Sequence, residues 1–335
     1  MINNITVKAS VLMPVYNDER YIHDAIDSIL HQSMANFELI IVNDGSTDAT
    51  LRILKSYTDP RIQIVSHAQN KGRPFARNTA LEAANGKYAI WMDGDDISHP
   101  QRIEKQVDFL DAHPEIDICG CAVQCFQDRQ DTIRYPHTSE QIRAGIIWDP
   151  TIPNPASCIR LSSVRKAQLR YSEKLLRVQD YAFWIDAILG ANLQAVNIPD
   201  VLFHWRYFHR PTSMAYHALA ARHALAYLGL PHDLHHATLH TVLSCTSDEG
   251  LAAVDAPEVI QWANEVYQAV LRTRLISVQA FLPLAHVKIE KYLSWQPSSW
   301  ALLRQYLSTP LGRTHSRGRL CAMMAARKAR QAILG

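Results

Sequence analysis

Short apolar runs alternate with amphipathic stretches through the first half of this chain. Residues 10–16 have the continuous apolar character of a buried strand. Tyr21, Ile22, Ala25, Ile26, Ile29 and Leu30 then recur at helical spacing, and residues 38–42 read as a strand again. Asp48 opens a helix carrying Leu51, Ile53 and Leu54, residues 61–65 predict a third strand, and residues 74–84 predict a helix with Pro74 in its first turn. A strand at 88–92, a helix at 100–112 and a strand at 116–126 continue the series. Strict alternation of this kind dictates an α/β fold, a mainly parallel sheet flanked by helices and joined by right-handed crossovers. Residues 127–155 are irregular, with Pro136, Pro150, Pro153 and Pro155, as expected of loops that shape a pocket. A strand at 157–161, a helix at 178–189 and strands at 193–198 and 201–208 follow, and beyond about Tyr216 the sequence is Ala- and Leu-rich and helical. The expected organisation is a domain over residues 1–215 and a helical extension over 216–335 with a basic C-terminal segment.

That topology has a chemical consequence. Tyr16-Asn17-Asp18, Asn43-Asp44-Gly45-Ser46 and Asp93-Gly94-Asp95 each follow a strand directly, so all three gather at the carboxyl edge of the sheet, where open α/β sheets bind ligands. The run Trp91-Met92-Asp93-Gly94-Asp95-Asp96 crowds three carboxylates, which repel one another unless a cation sits among them. Hard oxygen ligands of this type suit Mg²⁺ or Mn²⁺ holding a diphosphate. An acidic turn capped by Asp96 or Ser98, with Pro100 in the helix that follows, would have the same appearance, so the run alone leaves both readings open.

Composition narrows the classes. At 335 residues and 47% hydrophobic content the chain can bury a full core, and a formal net charge of +2 is too small for nucleic-acid binding by the whole molecule. Six cysteines without paired spacing predict reduced thiols and argue against zinc. No secretory pattern is seen at the amino terminus and no apolar run approaches twenty residues, which predicts a cytoplasmic protein without a membrane span.

Four motifs in order, Ser10-Val11-Leu12-Met13-Pro14-Val15-Tyr16-Asn17, Phe37 to Asp48 with Asn43-Asp44-Gly45-Ser46, Gly72-Arg73-Pro74-Phe75-Ala76-Arg77-Asn78, and Asp93-Gly94-Asp95-Asp96, resemble those of the family 2 glycosyltransferases with the GT-A fold. The likeness is strongest over residues 9–97 and continues more loosely to about Met214. By that resemblance Pro14, Val15, Tyr16 and Asn17 would line the nucleotide, Asp44 would bond the base, and Arg77 and Asn78 would border the nucleotide-sugar. Asp93 would face ribose or metal, and Asp95 would coordinate a divalent ion, Mn²⁺ or Mg²⁺, on the diphosphate. Gln179-Asp180-Tyr181-Ala182-Phe183-Trp184 stands where the family has its acidic pair and Trp, so Asp180 would be the general base. Arg206, His209 and Ser213 resemble a late Arg-His-Ser element near the diphosphate, with His209 a further candidate metal ligand. The chain departs from the usual pattern at Asn43 and Gln179, each replacing an acid.

The resemblance implies a metal-dependent, inverting transfer of a sugar, from a UDP-sugar, to a hydroxyl of a glycan or lipid-linked acceptor in bacterial surface polysaccharide synthesis. A sugar nucleotidyltransferase and a non-catalytic nucleotide-sugar-binding subunit are the alternatives. No acidic residue follows Glu290, while Lys291, Arg304, Arg313, Arg317, Arg319, Arg327, Lys328 and Arg330 do, so this segment could lie peripherally on the inner face of an anionic membrane. His232, His235, His236 and His240 read as a solvated helical surface.

Overall fold

The computed structural model describes residues 7–209, 214–244, 254–296, 300–323 and 325. They divide into two compact units, one drawn from Met1–Ile142 and Pro150–Pro211, the other from Arg143–Asp149 and Thr212–Gly335.

In the first unit β1 (Ala9–Val15), β2 (Phe37–Asn43), β3 (Ile62–Ser66) and β4 (Tyr88–Trp91) run parallel in the order β3-β2-β1-β4. The helices α1 (Ile22–Leu30), α2 (Thr50–Leu54), α3 (Arg73–Ala83) and α4 (Arg102–Ala112) provide the crossovers. A parallel sheet covered on both faces needs strands that are apolar throughout, and β1 and β2 are buried along nearly their whole length. Their side chains join Ile22, Ile26 and Ile29 of α1 and Ile103, Val107 and Leu110 of α4 in one core. This half of the sheet lies where the hydrophobic pattern places it.

Past β4 the sheet becomes mixed. β8 (Cys158–Arg160) pairs antiparallel with both β4 and β6 (Ile118–Gln127), and β6 runs parallel to β9 (Ala195–Tyr207). Two two-residue strands, β5 (Ile97–Ser98) and β7 (Thr132–Ile133), pair antiparallel with β9 and β6. The helices α5 (Ser139–Gly145), α6 (Leu161–Lys166) and α7 (Gln179–Ile185) complete the set, and α7 runs on into a π-helical turn at Asp186–Gly190. The expected strands at 193–198 and 201–208 are one strand. Its pairing steps from Ile198 opposite Cys121 to Val201 opposite Ala122, leaving Pro199 and Asp200 outside the ladder. Proline has no N–H to donate, so a bulge at Pro199 absorbs what the sequence presents as a break.

The second unit is helical: α8 (Met214–Tyr227), α9 (Leu234–Ser244), α10 (Ala256–Thr273), α11 (Val278–Trp295), α12 (Trp300–Ser308) and α13 (Pro310–Arg313). Here one reading of the sequence is corrected. His240 is not a surface residue: it is fully buried, stacked on Trp148 at 4.6 Å, with Nε2 2.6 Å from the Ile147 carbonyl. Burial lowers its pKa to about 4, so the ring packs as a neutral aromatic. Its apparent partners in sequence point elsewhere, His235 to Glu258 and His236 to Asp233. Cys119, Cys121, Cys125 and Cys158 are buried free thiols, whereas Cys245 lies outside the described residues.

Candidate active site

The loop after β1 is built by two asparagines. Asn17 adopts φ 56°, a left-handed conformation that asparagine tolerates, and its side-chain oxygen accepts the Thr47 N–H at 2.8 Å. Its own N–H donates to Ser46 Oγ at 3.0 Å, and Asn43 Oδ1 accepts the Ser46 N–H at 3.1 Å. Asn43 thus performs the hydrogen bonding of this turn without a charge. Of the predicted nucleotide-lining segment, Pro14 and Val15 belong to β1, with Val15 in the core, while Tyr16 projects with 44% of its surface exposed.

Asp44 is buried and takes three donors. Its oxygens accept the Lys71 N–H at 3.0 Å and the Gly72 N–H at 2.8 Å, and His67 Nδ1 stands 2.6 Å away. Gly45 can hold φ 69° and leaves no room for a side chain, since a Cβ would lie 2.5 Å from the Gln69 carbonyl carbon. The residue predicted to read a base therefore also fastens the loop that leads into α3.

The acidic run is more crowded than its sequence suggests. Asp95 is pushed up to about 6, first by burial and then by Asp93. Asp18 is pushed up to about 7 by burial, with Asp95, Asp93 and Asp48 adding to the effect against the Tyr16 N–H that it accepts. A Cβ at position 94 would fall 2.9 Å from Asp18 Oδ2, so only glycine lets this fourth carboxylate approach. Sequence reading singled out the cluster holding Asp18 but assigned the residue no role, although its place directly after β1 is the signal for one. Asp96 is buried with Oδ2 unpartnered, and burial followed by repulsion from Asp95 and Asp93 raises its pKa well above the ordinary carboxylate range. Its Oδ1 accepts the Arg206 N–H at 2.7 Å, so Asp96 tethers β9 rather than capping a helix.

Arg77 joins the two halves of the predicted chemistry. Its side chain is 3% exposed; Nη2 lies 3.5 Å from Asp93 Oδ1 and Nη1 lies 3.9 Å from Asp180 Oδ2. The guanidinium faces the rings of Trp91 and Tyr171 at 5.8 and 5.4 Å, and neither Nε nor Nη1 has a hydrogen-bond partner. Burial alone would lower its pKa, but Asp93, Tyr171 and Asp180 outweigh it, and the group stays charged. Asn78 sets this arrangement from below: its amide accepts the Tyr171 N–H at 2.8 Å and donates to the Tyr171 carbonyl at 2.9 Å. Tyr171 in turn stacks on Phe183 of α7 at 4.2 Å, nearly parallel.

Asp180 lies in the first turn of α7 with 40% of its side chain exposed, and its Oδ1 accepts the Tyr181 N–H at 2.9 Å. The residue that caps this helix is Val178, held at φ 52°, ψ 17°. A β-branched side chain there costs about 1–2 kcal/mol. Val178→Gly is expected to stabilise the protein by about 1 kcal/mol after the entropy that glycine gains when unfolded, read by calorimetry as a rise of about 2–4 °C in melting temperature. An unchanged or lower melting temperature would contradict stored strain.

Arg206 reaches the acidic loop by backbone contacts, its Nε donating to the Asp95 carbonyl at 2.8 Å while the guanidinium lies between Tyr21 and Phe126 at 4.2 and 4.6 Å. His209 is exposed at the end of β9, and its N–H donates to Asp128 Oδ2 at 3.0 Å. Among the described residues no hydrogen bond joins His209 to Asp93 or Asp95, and Ser213 lies outside them.

Comparison with known proteins gives the family and the fold. The family profile described as Glycosyl transferase family 2 matches residues 10–168. A glycosyltransferase of Haemophilus influenzae without assigned function is 32% identical over 221 residues, covering 62% of this chain and 68% of the relative. The UDP-Glc:alpha-D-GlcNAc-diphosphoundecaprenol beta-1,3-glucosyltransferase WfgD of Escherichia coli is 29% identical over 199 residues, 56% of this chain and 72% of WfgD. Among solved structures, residues 1–349 of S. aureus TarS in complex with UDP-GlcNAc superpose with a TM-score of 0.61 at 21% identity, over 86% of this chain and 90% of that one. The mixed, mostly parallel sheet with its flanking helices is thus the GT-A fold.

Proposed function

The chain belongs to the family 2 glycosyltransferases, and from that premise we propose that it transfers a sugar from a UDP-sugar to a hydroxyl of a lipid-linked glycan by one inverting displacement. Residues 1–215 carry the catalysis and residues 216–335 form the helical extension. The observation that supports this most is the meeting of Asp93 and Asp180 at two nitrogens of the one buried Arg77 guanidinium, which puts a donor-side carboxylate and a base candidate in one site. Asp180 accepts the proton of the acceptor hydroxyl as that oxygen bonds to the anomeric carbon, and the bond from this carbon to the diphosphate breaks, its electron pair leaving with the nucleotide. Tyr16 and Asn17 flank the nucleotide, Asp44 reads its base, and Arg77, Asn78 and Arg206 order the surroundings of the diphosphate. WfgD, by its name, uses UDP-Glc and a diphosphoundecaprenol-linked acceptor, which supports this donor and acceptor class.

The acidic edge suits a divalent cation. The carboxylates of Asp93 and Asp95 are hard oxygen donors, and repulsion from Asp93 helps raise the pKa of Asp95, a penalty that a bound cation removes. Among the described residues no group of three or more His, Cys, Asp or Glu side chains encloses a metal position. Mn²⁺ or Mg²⁺ is commonly held by one or two carboxylates and completed by phosphate and water, and His209 is a further candidate ligand. When bound, the ion supplies neutralisation of the charge that develops on the departing diphosphate. The reading is tested by thermal-shift measurements with UDP-sugars, with and without Mn²⁺. A productive donor at a hundred times its dissociation constant stabilises the fold by about 2.7 kcal/mol. A melting temperature indifferent to every donor and metal would overturn it.

We also propose peripheral contact with the inner face of an anionic membrane. No helix among the described residues is long and apolar enough to cross one. Val287, Lys291 and Trp295 repeat every four residues on α11, Trp300 and Arg304 do so on α12, and all five are exposed. Tryptophan beside cations suits a headgroup region. Arg327, Lys328 and Arg330 belong to the same basic segment and lie outside the described residues. Removing residues 313–335 is expected to reduce co-sedimentation with phosphatidylglycerol vesicles severalfold, and unchanged binding would reject the role of the tail.

A further inference from the structure

Arg77 has more to do than border a nucleotide-sugar. A buried guanidinium normally satisfies its five donors, because each one left without a partner in a low-dielectric interior is costly. Here Nε and Nη1 have no hydrogen-bond partner, and the two carboxylates within 4 Å come from opposite ends of the chemistry, Asp93 from the loop after β4 and Asp180 from the first turn of α7. The position is fixed from several sides: Trp91 and Tyr171 present their rings to the cation, Asn78 clamps the Tyr171 backbone, and Tyr171 stacks on Phe183 of α7. Asp180 itself is the more exposed partner, at 40% against 3% for Arg77.

We infer that Arg77 is a positioning residue for the acceptor base: it aims the Asp180 carboxylate while its other terminal nitrogen holds Asp93, so that the base is referenced to the donor side of the site. This rests on the reading of Asp180 as the general base. The charged and titratable groups that face the guanidinium are Asp93 from the β4 loop, Tyr171 from the loop before α7, and Asp180. Tyr171 is kept neutral, since burial raises its pKa well above the ordinary phenol range. Arg77 is therefore the cation that stands against Asp180, and its loss leaves the carboxylate without that anchor.

The test compares wild type with Arg77→Gln and Arg77→Lys, measuring kcat by steady-state kinetics and UDP affinity by calorimetry with Mn²⁺ present. For Arg77→Gln kcat is expected to fall about a hundredfold, with UDP affinity changed less than about tenfold. Arg77→Lys keeps the charge, so kcat recovers in part, above that of Arg77→Gln and below wild type. Full kcat in Arg77→Gln, or a loss confined to UDP affinity, would overturn the inference. Should Arg77→Gln fail to fold, Arg77→Lys decides through geometry: a point charge cannot serve two carboxylates as a fork does, so kcat falls at least about tenfold at unchanged UDP affinity, and full kcat overturns the inference. Wild type without any sugar transfer would sink the function and the inference together, whereas an active wild type with an equally active Arg77→Gln enzyme sinks the inference alone.

Discussion

Turnover by an Asp180→Asn enzyme is expected to fall about 10²- to 10⁴-fold while donor binding and folding are retained. A sugar hydroxyl is a feeble nucleophile near neutral pH, and the amide that replaces the carboxylate cannot take up its proton. The substitution is nearly isosteric, and the Asn side-chain oxygen can still accept the Tyr181 N–H, so the first turn of α7 keeps its hydrogen bond. Steady-state kinetics with calorimetry of UDP binding checks both halves. A non-catalytic nucleotide-sugar-binding subunit would have no turnover to lose, so this one variant separates that alternative from an enzyme. Full activity in Asp180→Asn would move the base elsewhere.

The second large effect belongs to the acidic edge. Asp95→Asn is expected to abolish the stabilisation that Mn²⁺ and a UDP-sugar give together and to lower kcat about a thousandfold, because charge developing on the diphosphate is then poorly neutralised. The pH dependence has a definite sign. Asp95 and Asp18 have folded pKa values of about 6 and about 7, raised from 3.8. Groups whose folded pKa is raised bind protons more tightly in the native state, so they favour the fold at low pH, and that contribution is lost between about pH 4 and pH 7. A cation competes with those protons. The melting-temperature gain from Mn²⁺ with donor is therefore expected to be small at pH 5.5, large at pH 8, and absent at both in Asp95→Asn. A gain that is independent of pH, or that survives the substitution, would remove these carboxylates from the metal site.

The fold was legible wherever a single periodicity governs a segment. β1, β2 and β4 are buried on both faces, so their apolar runs announce them, while β3, at the edge of the sheet, is only partly buried. β5 and β7, two residues each, carry no period at all and exist only through pairing with β9 and β6. The break at Pro199-Asp200 has the look of a turn because a local reading cannot see the ladder of β6 passing beside it. His240 was misread for a related reason: a histidine on a helix is polar in sequence, and only Trp148, far away along the chain, makes it a buried aromatic. In the site, motif order brought Asp44, Asp93, Arg77 and Asp180 forward, and the geometry places three of them within one ion-pair network. What sequence could not supply was the division of labour. Asn78 spends its amide on the Tyr171 backbone and Arg206 spends its Nε on the Asp95 carbonyl, choices fixed by packing between residues 93 and 111 positions apart.

The Asn78 clamp on Tyr171 also bears on how such enzymes diversify. A single carboxamide fastens together stretches of chain separated by the whole span from β4 to α6, so insertions or deletions in the connecting loops of that span can alter what docks against them without loosening the reacting groups. Exchanging loops between homologues would then retune which acceptor is glycosylated while the chemistry itself is inherited unchanged.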